Sequence, residues 1–422
     1  MEVNRALHRP ILAVIYAALA LLAACWLLSW DTDAGIALFF ALMLPLLGLM
    51  RWPNSPRLLF LGFAVMVGGK FVYALTQDPL KGPDERNYFA QVAAFQDLGS
   101  FFAYAWEQIT LNGFNVSAYP IFGLLYMPFY KGVQLEDPLA IIVFNSLLLL
   151  LVVHQTYSLC RNHFRFALPA LAETKFHGWT AFALFVSPSF MFMTSIFAKD
   201  VTSVLLGLLG ALLLLRKRYV LFVAVLLYAT GLRDYAIVYT LGYYLLFRGR
   251  MKTALAMLVV SLAAVVLFAG VSGALNAGLL AVFLFFSPNP LKLGNWDAAV
   301  LYRTLEAIWM SFSLVAAAVV YAKAPETRRF YRLALIVLVT YACTLILVGY
   351  VTVVSRELEY GVGTIGDNMV RKKLPVLPLL YIFSAYTMVW LGKLTRPIRR
   401  IKEVQSCGEG TSSAGLDRSF EP

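Results

Sequence analysis

The sequence predicts an all-α fold: a polytopic transmembrane helical bundle of about 12 spans, with one long outward loop carrying interfacial helices. Three observations predict it. Of 422 residues, 60% are hydrophobic and 14% are charged, and the mean hydropathy is +0.74, which leaves too little polar surface for a soluble chain. Apolar runs of about 17–25 residues recur, the length a helix needs to cross the hydrocarbon core of a bilayer. Basic clusters fall between alternate runs, as the charge rule for cytoplasmic loops requires.

The runs near 11–30, 35–50 and 58–75 make residues 1–75 an N-terminal set of transmembrane helices. Within the first, Leu22-Ala23-Ala24-Cys25 follows a basic start and resembles a lipoprotein processing box. The apolar run continues through Trp26-Leu27-Leu28, so an uncleaved span is expected. Residues 76–137 form the long outward loop. A transmembrane core, 138–402, follows, with runs at 138–158, 178–197, 201–215, 253–272, 304–322, 333–353 and 374–392. Between 215 and 253 lie two shorter apolar halves, Tyr219 to Leu232 and Tyr235 to Phe247, each reaching only roughly 20 Å at 1.5 Å per residue. Basic clusters at Arg216-Lys217-Arg218 and Arg248 to Lys252 close both ends, which predicts a hairpin returning to the same side. Outward segments are expected at 273–303 and 354–373. Residues 403–422, rich in Gly and Ser, read as a disordered cytoplasmic tail.

With both termini cytoplasmic, nearly every basic cluster falls on one side. Most acids fall on the other, including Asp31, Asp78, Asp84, Glu85, Asp137, Asp200, Asp234, Asp297, Glu357, Glu359 and Asp367. The net charge of +12 therefore reads as topology and not as a nucleic-acid surface, because the cations are scattered between apolar runs instead of forming a face. Multi-pass insertion in a cytoplasmic (inner) membrane is expected, with membrane lipids as neighbours and no nucleic-acid partner. Cys25, Cys160, Cys343 and Cys407 have neither pairing nor ligand spacing, and the four histidines form no site. No metal site and no cofactor are assigned, although the acids leave a divalent metal open.

The residues with chemistry gather on the outward side. Gly82-Pro83-Asp84-Glu85-Arg86-Asn87-Tyr88 opens the long loop, and Asn87 to Leu98 continues with helical spacing. A carboxylate here could accept a proton from an acceptor hydroxyl, or Asp84 and Glu85 could simply cap the helix. Lys199-Asp200 falls between two apolar runs and Arg233-Asp234 at the hairpin tip, depths at which charges need a polar cavity or a partner. Arg suits bidentate phosphate contact and Lys a point contact; a structural ion pair is the alternative. Phe285-Phe286-Ser287-Pro288-Asn289-Pro290 breaks helix before Trp296. Arg371-Lys372-Lys373, an outward basic cluster against the charge trend, asks for a phosphate or pyrophosphate partner, with attraction to lipid headgroups as the alternative.

Taken in order, Pro83-Asp84-Glu85 with Tyr88, then Tyr119-Pro120, Lys199-Asp200, Gly231-Leu232-Arg233, Ser287-Pro288-Asn289-Pro290 and Arg371 to Pro378 span most of residues 76–392. This ensemble resembles the GT-C superfamily of membrane glycosyltransferases and the O-antigen-polymerase-like proteins related to it. The two additional spans before the acidic loop depart from the common arrangement, in which that loop follows the first span. The resemblance implies a polyprenyl-phosphate- or pyrophosphate-linked sugar as donor and a glycan or lipid as acceptor. It implies Asp84 as catalytic base, with Glu85 as its alternative. Lys199, Arg233, Arg371, Lys372 and Lys373 would bind donor phosphate, and Arg86, Tyr88, Tyr119 and Asp200 would make loop contacts. A polysaccharide repeat-unit polymerase and a lipid-linked-glycan flippase are the competing expectations.

Overall fold

The computed structural model describes residues 2–50, 56–112, 118–170, 172–356 and 369–409. Among the described residues the chain is helical throughout, with no strand. Five helical stretches among the described residues are long and apolar enough to cross a membrane: Pro138–His163, Met251–Phe286, Val300–Lys323, Pro325–Val351 and Met369–Thr395.

The first three helices, α1 (Glu2–Leu28), α2 (Thr32–Leu49) and α3 (Pro56–Thr76), coincide with the three expected N-terminal runs. Asp31 caps α2 by accepting from the Ala34 amide at 2.9 Å, and α1 packs along α2. The segment expected as an outward loop folds into three helices, α4 (Pro83–Ala94), α5 (Leu98–Asn112) and α6 (Ala118–Gly132). The third of these is not a surface element, for Phe122, Tyr126, Met127 and Tyr130 are fully buried. The rings of Phe122, Tyr126 and Tyr130 enter one aromatic cluster with Phe197.

Next comes α7 (Ile141–His163), the most deeply buried element of the first half. The expected span 178–197 is broken into α8 (Glu173–Phe185) and α9 (Pro188–Met193). The reason is local: Ser187 accepts from the Phe190 amide as an N-cap and Pro188 occupies the first helical position, a start signal inside an apolar run. A turn then leads to α10 (Asp200–Leu215), and the hairpin appears as α11 (Tyr219–Leu232) and α12 (Ala236–Arg248). Gly249, at φ 69°, ends the second arm in the left-handed conformation that glycine tolerates.

The 36-residue α13 (Met251–Phe286) overruns the expected span 253–272, so residues 273–286 of the expected outward segment are helical. Its backbone leaves helical geometry at Gly270 (φ 71°, ψ −176°). Twenty residues at 1.5 Å bring the helix from Met251 to that kink, about 30 Å, one hydrocarbon thickness. The remaining helices are α14 (Ala298–Lys323), α15 (Arg328–Arg356), α16 (Met369–Lys373) and α17 (Leu377–Glu409). Helix continues to Glu409, into the stretch expected as tail. Glu357, Glu359 and Asp367 lie outside the described residues. The core joins α7, α8, α10, α12, α15 and α17.

Candidate functional site

Arg371 stands at the centre of a cluster assembled from four separate parts of the chain. Its Nη1 donates to Asp84 Oδ2 at 3.1 Å, its Nε donates to Asp200 Oδ2 at 3.3 Å, and its Nη2 lies 3.7 Å from Glu85 Oε1. Arg233 donates to the other Asp200 oxygen. Lys199 sits beside the same groups, within the electrostatic reach of Arg233, Asp200, Arg371 and Asp84. Three carboxylates thus meet three basic groups, and the formal charges balance.

Each member is placed by an element boundary. Asp84 and Glu85 open α4, where carboxylates suit the helix dipole. Glu85 folds back over Gly82, whose missing Cβ leaves room; a Cβ there would collide with the Glu85 carboxylate. Asp200 opens α10 and is fully buried. Arg233 follows the last residue of α11 in extended geometry, so the hairpin tip delivers a cation to the buried Asp200. Arg371 rides on α16, which is tied down from three directions. Tyr341 of α15 donates to the Lys372 carbonyl at 2.6 Å, Tyr243 of α12 donates to the Pro375 carbonyl at 2.7 Å, and Lys373 is held by Glu306.

Exposure separates the carboxylates. The Asp84 side chain is 49% exposed, whereas those of Glu85 and Asp200 are 6% and 0%. Tyr119 donates to Asp84 Oδ1 at 3.4 Å and Asn87 donates to Tyr119 at 3.3 Å. The Tyr88 and Tyr119 rings pack edge to face at 4.6 Å. Asp84 is therefore oriented from both oxygens yet open on one side. The Lys199 ammonium is pushed down to about 7, first by burial and then by the positive charge of Arg233, with Asp200 opposing. Arg233 Nε is buried with no acceptor in reach.

Seven expected site residues converge here: Asp84, Glu85, Tyr119, Lys199, Asp200, Arg233 and Arg371. Tyr88 supports them from behind, buried, with its carbonyl accepting from Tyr126 at 2.6 Å. Arg86 turns away and donates to the Leu80 carbonyl at 3.1 Å. Lys372 contributes its carbonyl to Tyr341. Lys373 lies in a different place, fully buried and 2.7 Å from Glu306. Arg371 and Lys373 each meet acids of the chain itself, and the Arg233–Asp200 pair joins two helices.

A second cluster forms around Glu306, which is not among the expected site residues, although its partner Lys373 is. Glu306 Oε1 accepts from Ser187 at 2.6 Å and from Tyr381 at 2.5 Å, while Oε2 accepts from Ser189 and Lys373. Lys373 also donates to the Ser287 carbonyl at 2.8 Å. Lys70 is likewise buried, donating to the Met191 carbonyl at 3.1 Å and to Ser195 at 3.2 Å. The available signal was a lone charge inside each apolar run, which is costly unless partnered.

Among the described residues no group of three His, Cys, Asp or Glu side chains could hold a metal ion; the three acids of the site are separated by Arg371. No protein-family model matches the chain, and neither a curated protein nor a solved structure matches it. Membrane character therefore rests on the apolar helices themselves.

Proposed function

We propose that the chain is an integral-membrane glycosyltransferase of GT-C type, moving a hexosyl-class sugar from a polyprenyl-phosphate-linked donor to a glycan or lipid acceptor. In this reading about twelve spans place α4 to α6 at the periplasmic face of the cytoplasmic membrane, with both termini cytoplasmic. The observation that carries it is Asp84: a half-exposed carboxylate, oriented by Arg371 and Tyr119, beside cations that could take up phosphate charge. In the transfer, the acceptor oxygen attacks the anomeric carbon and its proton passes to Asp84. The sugar–phosphate bond breaks with its electron pair going to the phosphate. Lys199, the unbonded Nε of Arg233 and an edge of Arg371 would meet that developing charge.

Asp84→Asn keeps shape and loses the proton acceptor, so single-turnover rate on protein in lipid discs is expected to fall by roughly 10² or more with donor affinity retained. Cells lacking the protein should accumulate the polyprenyl-linked sugar, resolved by mass in lipid extracts; an unchanged lipid-linked pool would sink the assignment. The engagement of Asp84 by Arg371 favours a second reading, a polysaccharide repeat-unit polymerase in which cations stabilise the pyrophosphate leaving group and no carboxylate base is needed. Near-normal turnover in both Asp84→Asn and Glu85→Gln would select it.

A further inference from the structure

A groove of about 680 Å³ opens between α8, α14 and α17, at the end of α17 away from Arg371. Lys393 lies sixteen residues beyond Leu377, about 24 Å along the helix axis, so the groove is remote from the Asp84 cluster. Its walls are small and aromatic: Ala183 and Ala385 form the floor, and Trp179 and Trp309, 49% and 45% exposed, stand over it. The chain entering α8 meets the far part of α17, where the Ala167 carbonyl accepts from Tyr386 and Trp390, which brings Lys175 and Lys393 of the lining towards the same end. Neither makes an ion pair with a carboxylate among the described residues. The Lys393 Nζ lies 4.6 Å over the centre of the Trp390 ring, a cation–π contact that fixes the ammonium at the rim of the groove.

We infer that this groove binds one acidic phospholipid, with its headgroup phosphate between Lys175 and Lys393 and an acyl chain along the Ala183–Ala385 floor. The dimensions fit that occupant. From Ser384 to Lys393, both on the lining, is nine residues, about 14 Å, half of a roughly 30 Å hydrocarbon core and so the depth of one leaflet. The volume lies in the range of small-molecule sites, roughly 300–1,000 Å³. Charge complementarity favours this occupant over its rivals. A packed apolar helix would offer the two exposed ammonium groups no charge, and a zwitterionic lipid brings its own cation to the same end. Two lysines beside an anionic headgroup gain from both charges.

The test uses the full chain in zwitterionic-lipid discs doped with phosphatidylglycerol or phosphatidylcholine carrying brominated acyl chains. Quenching is read as the difference between wild type and the Trp179→Phe/Trp309→Phe variant, because the chain has eight tryptophans. The acidic lipid should quench the groove pair at roughly tenfold lower mole fraction than the zwitterionic one. Lys175→Gln/Lys393→Gln, both at exposed positions, should abolish that preference while leaving quenching at high mole fraction. Equal quenching by both headgroups, or an unaltered preference in the lysine variant, would overturn the site. Displacement by inorganic phosphate would assign the lysines to a free anion, and displacement by equimolar polyprenyl phosphate would assign the groove to that lipid; either defeats the inference.

Discussion

Asp200 is the residue on which the candidate site turns, since its two oxygens are taken by different arginines from separate elements, Arg233 after α11 and Arg371 on α16. Asp200→Asn would leave Arg233 and Arg371 short of a buried counter-charge. A stability loss of about 3–5 kcal/mol is expected in thermal or denaturant unfolding of the purified protein. Lys199 makes a second, separable prediction. Its proton is held below about 7 and lost above it, whereas a phosphodiester keeps its charge across that window. Donor affinity should therefore fall as pH rises through 7, and Lys199→Met should flatten that profile at the high-pH level. An affinity independent of pH in the wild type would take Lys199 out of donor binding. The folded group is lowered relative to the chain's unfolded state, so its own contribution to stability is unfavourable below pH 7 and is relieved as pH rises from 7 towards the ordinary lysine value.

At the scale of the element, α16 is the smallest helix in the bundle and the most heavily tied. Glu306 and Lys373 are both essentially without exposure, and removing one partner strands the other. Glu306→Gln and Lys373→Met are each expected to cost about 3–5 kcal/mol, and the double variant less than their sum. An additive double variant would mean the pair acts through different neighbours. Helix α13 carries an independent prediction. Gly270 has a φ of 71° with an extended ψ, a region essentially confined to glycine, and nothing lies near a Cβ built there. Gly270→Ala should therefore destabilise through the backbone alone, by about 1–3 kcal/mol. The helix break at Ser187-Pro188 was readable from the cap and proline, but the continuous apolar run over 178–197 masked it.

At the scale of the whole molecule, the open question is sidedness. In the proposed topology, a cysteine replacing the exposed Asn112 at the end of α5 should react with an impermeant thiol reagent in intact cells, on a background lacking the native cysteines. Cys25, Cys160 and Cys343 are buried, so their removal is a core change and the background must first be shown to fold. Labelling only after membrane disruption would invert the topology and remove the periplasmic reading. It would leave the α8/α14/α17 groove untouched, since that site is defined by its own charges and depth.

The class of molecule and the neighbourhood of its chemistry were legible in the order of the residues alone. Runs of apolar residues can only be helices if their backbone groups are to be satisfied in hydrocarbon, and charges at their ends were conspicuous because burying them is expensive. Asp84, Lys199, Asp200, Arg233 and Arg371 were therefore visible one by one. Which of them meet became visible in the folded chain. Arg371 and Asp84 are 287 residues apart, and no local periodicity encodes a contact at that separation. The same holds for Glu306, whose single charge in an apolar run became interpretable only when Ser187, Ser189, Lys373 and Tyr381 closed around it. Periodicity reports which face of a helix is buried; pairing depends on how helices pack, and that is settled by the summed fit of side chains across the bundle.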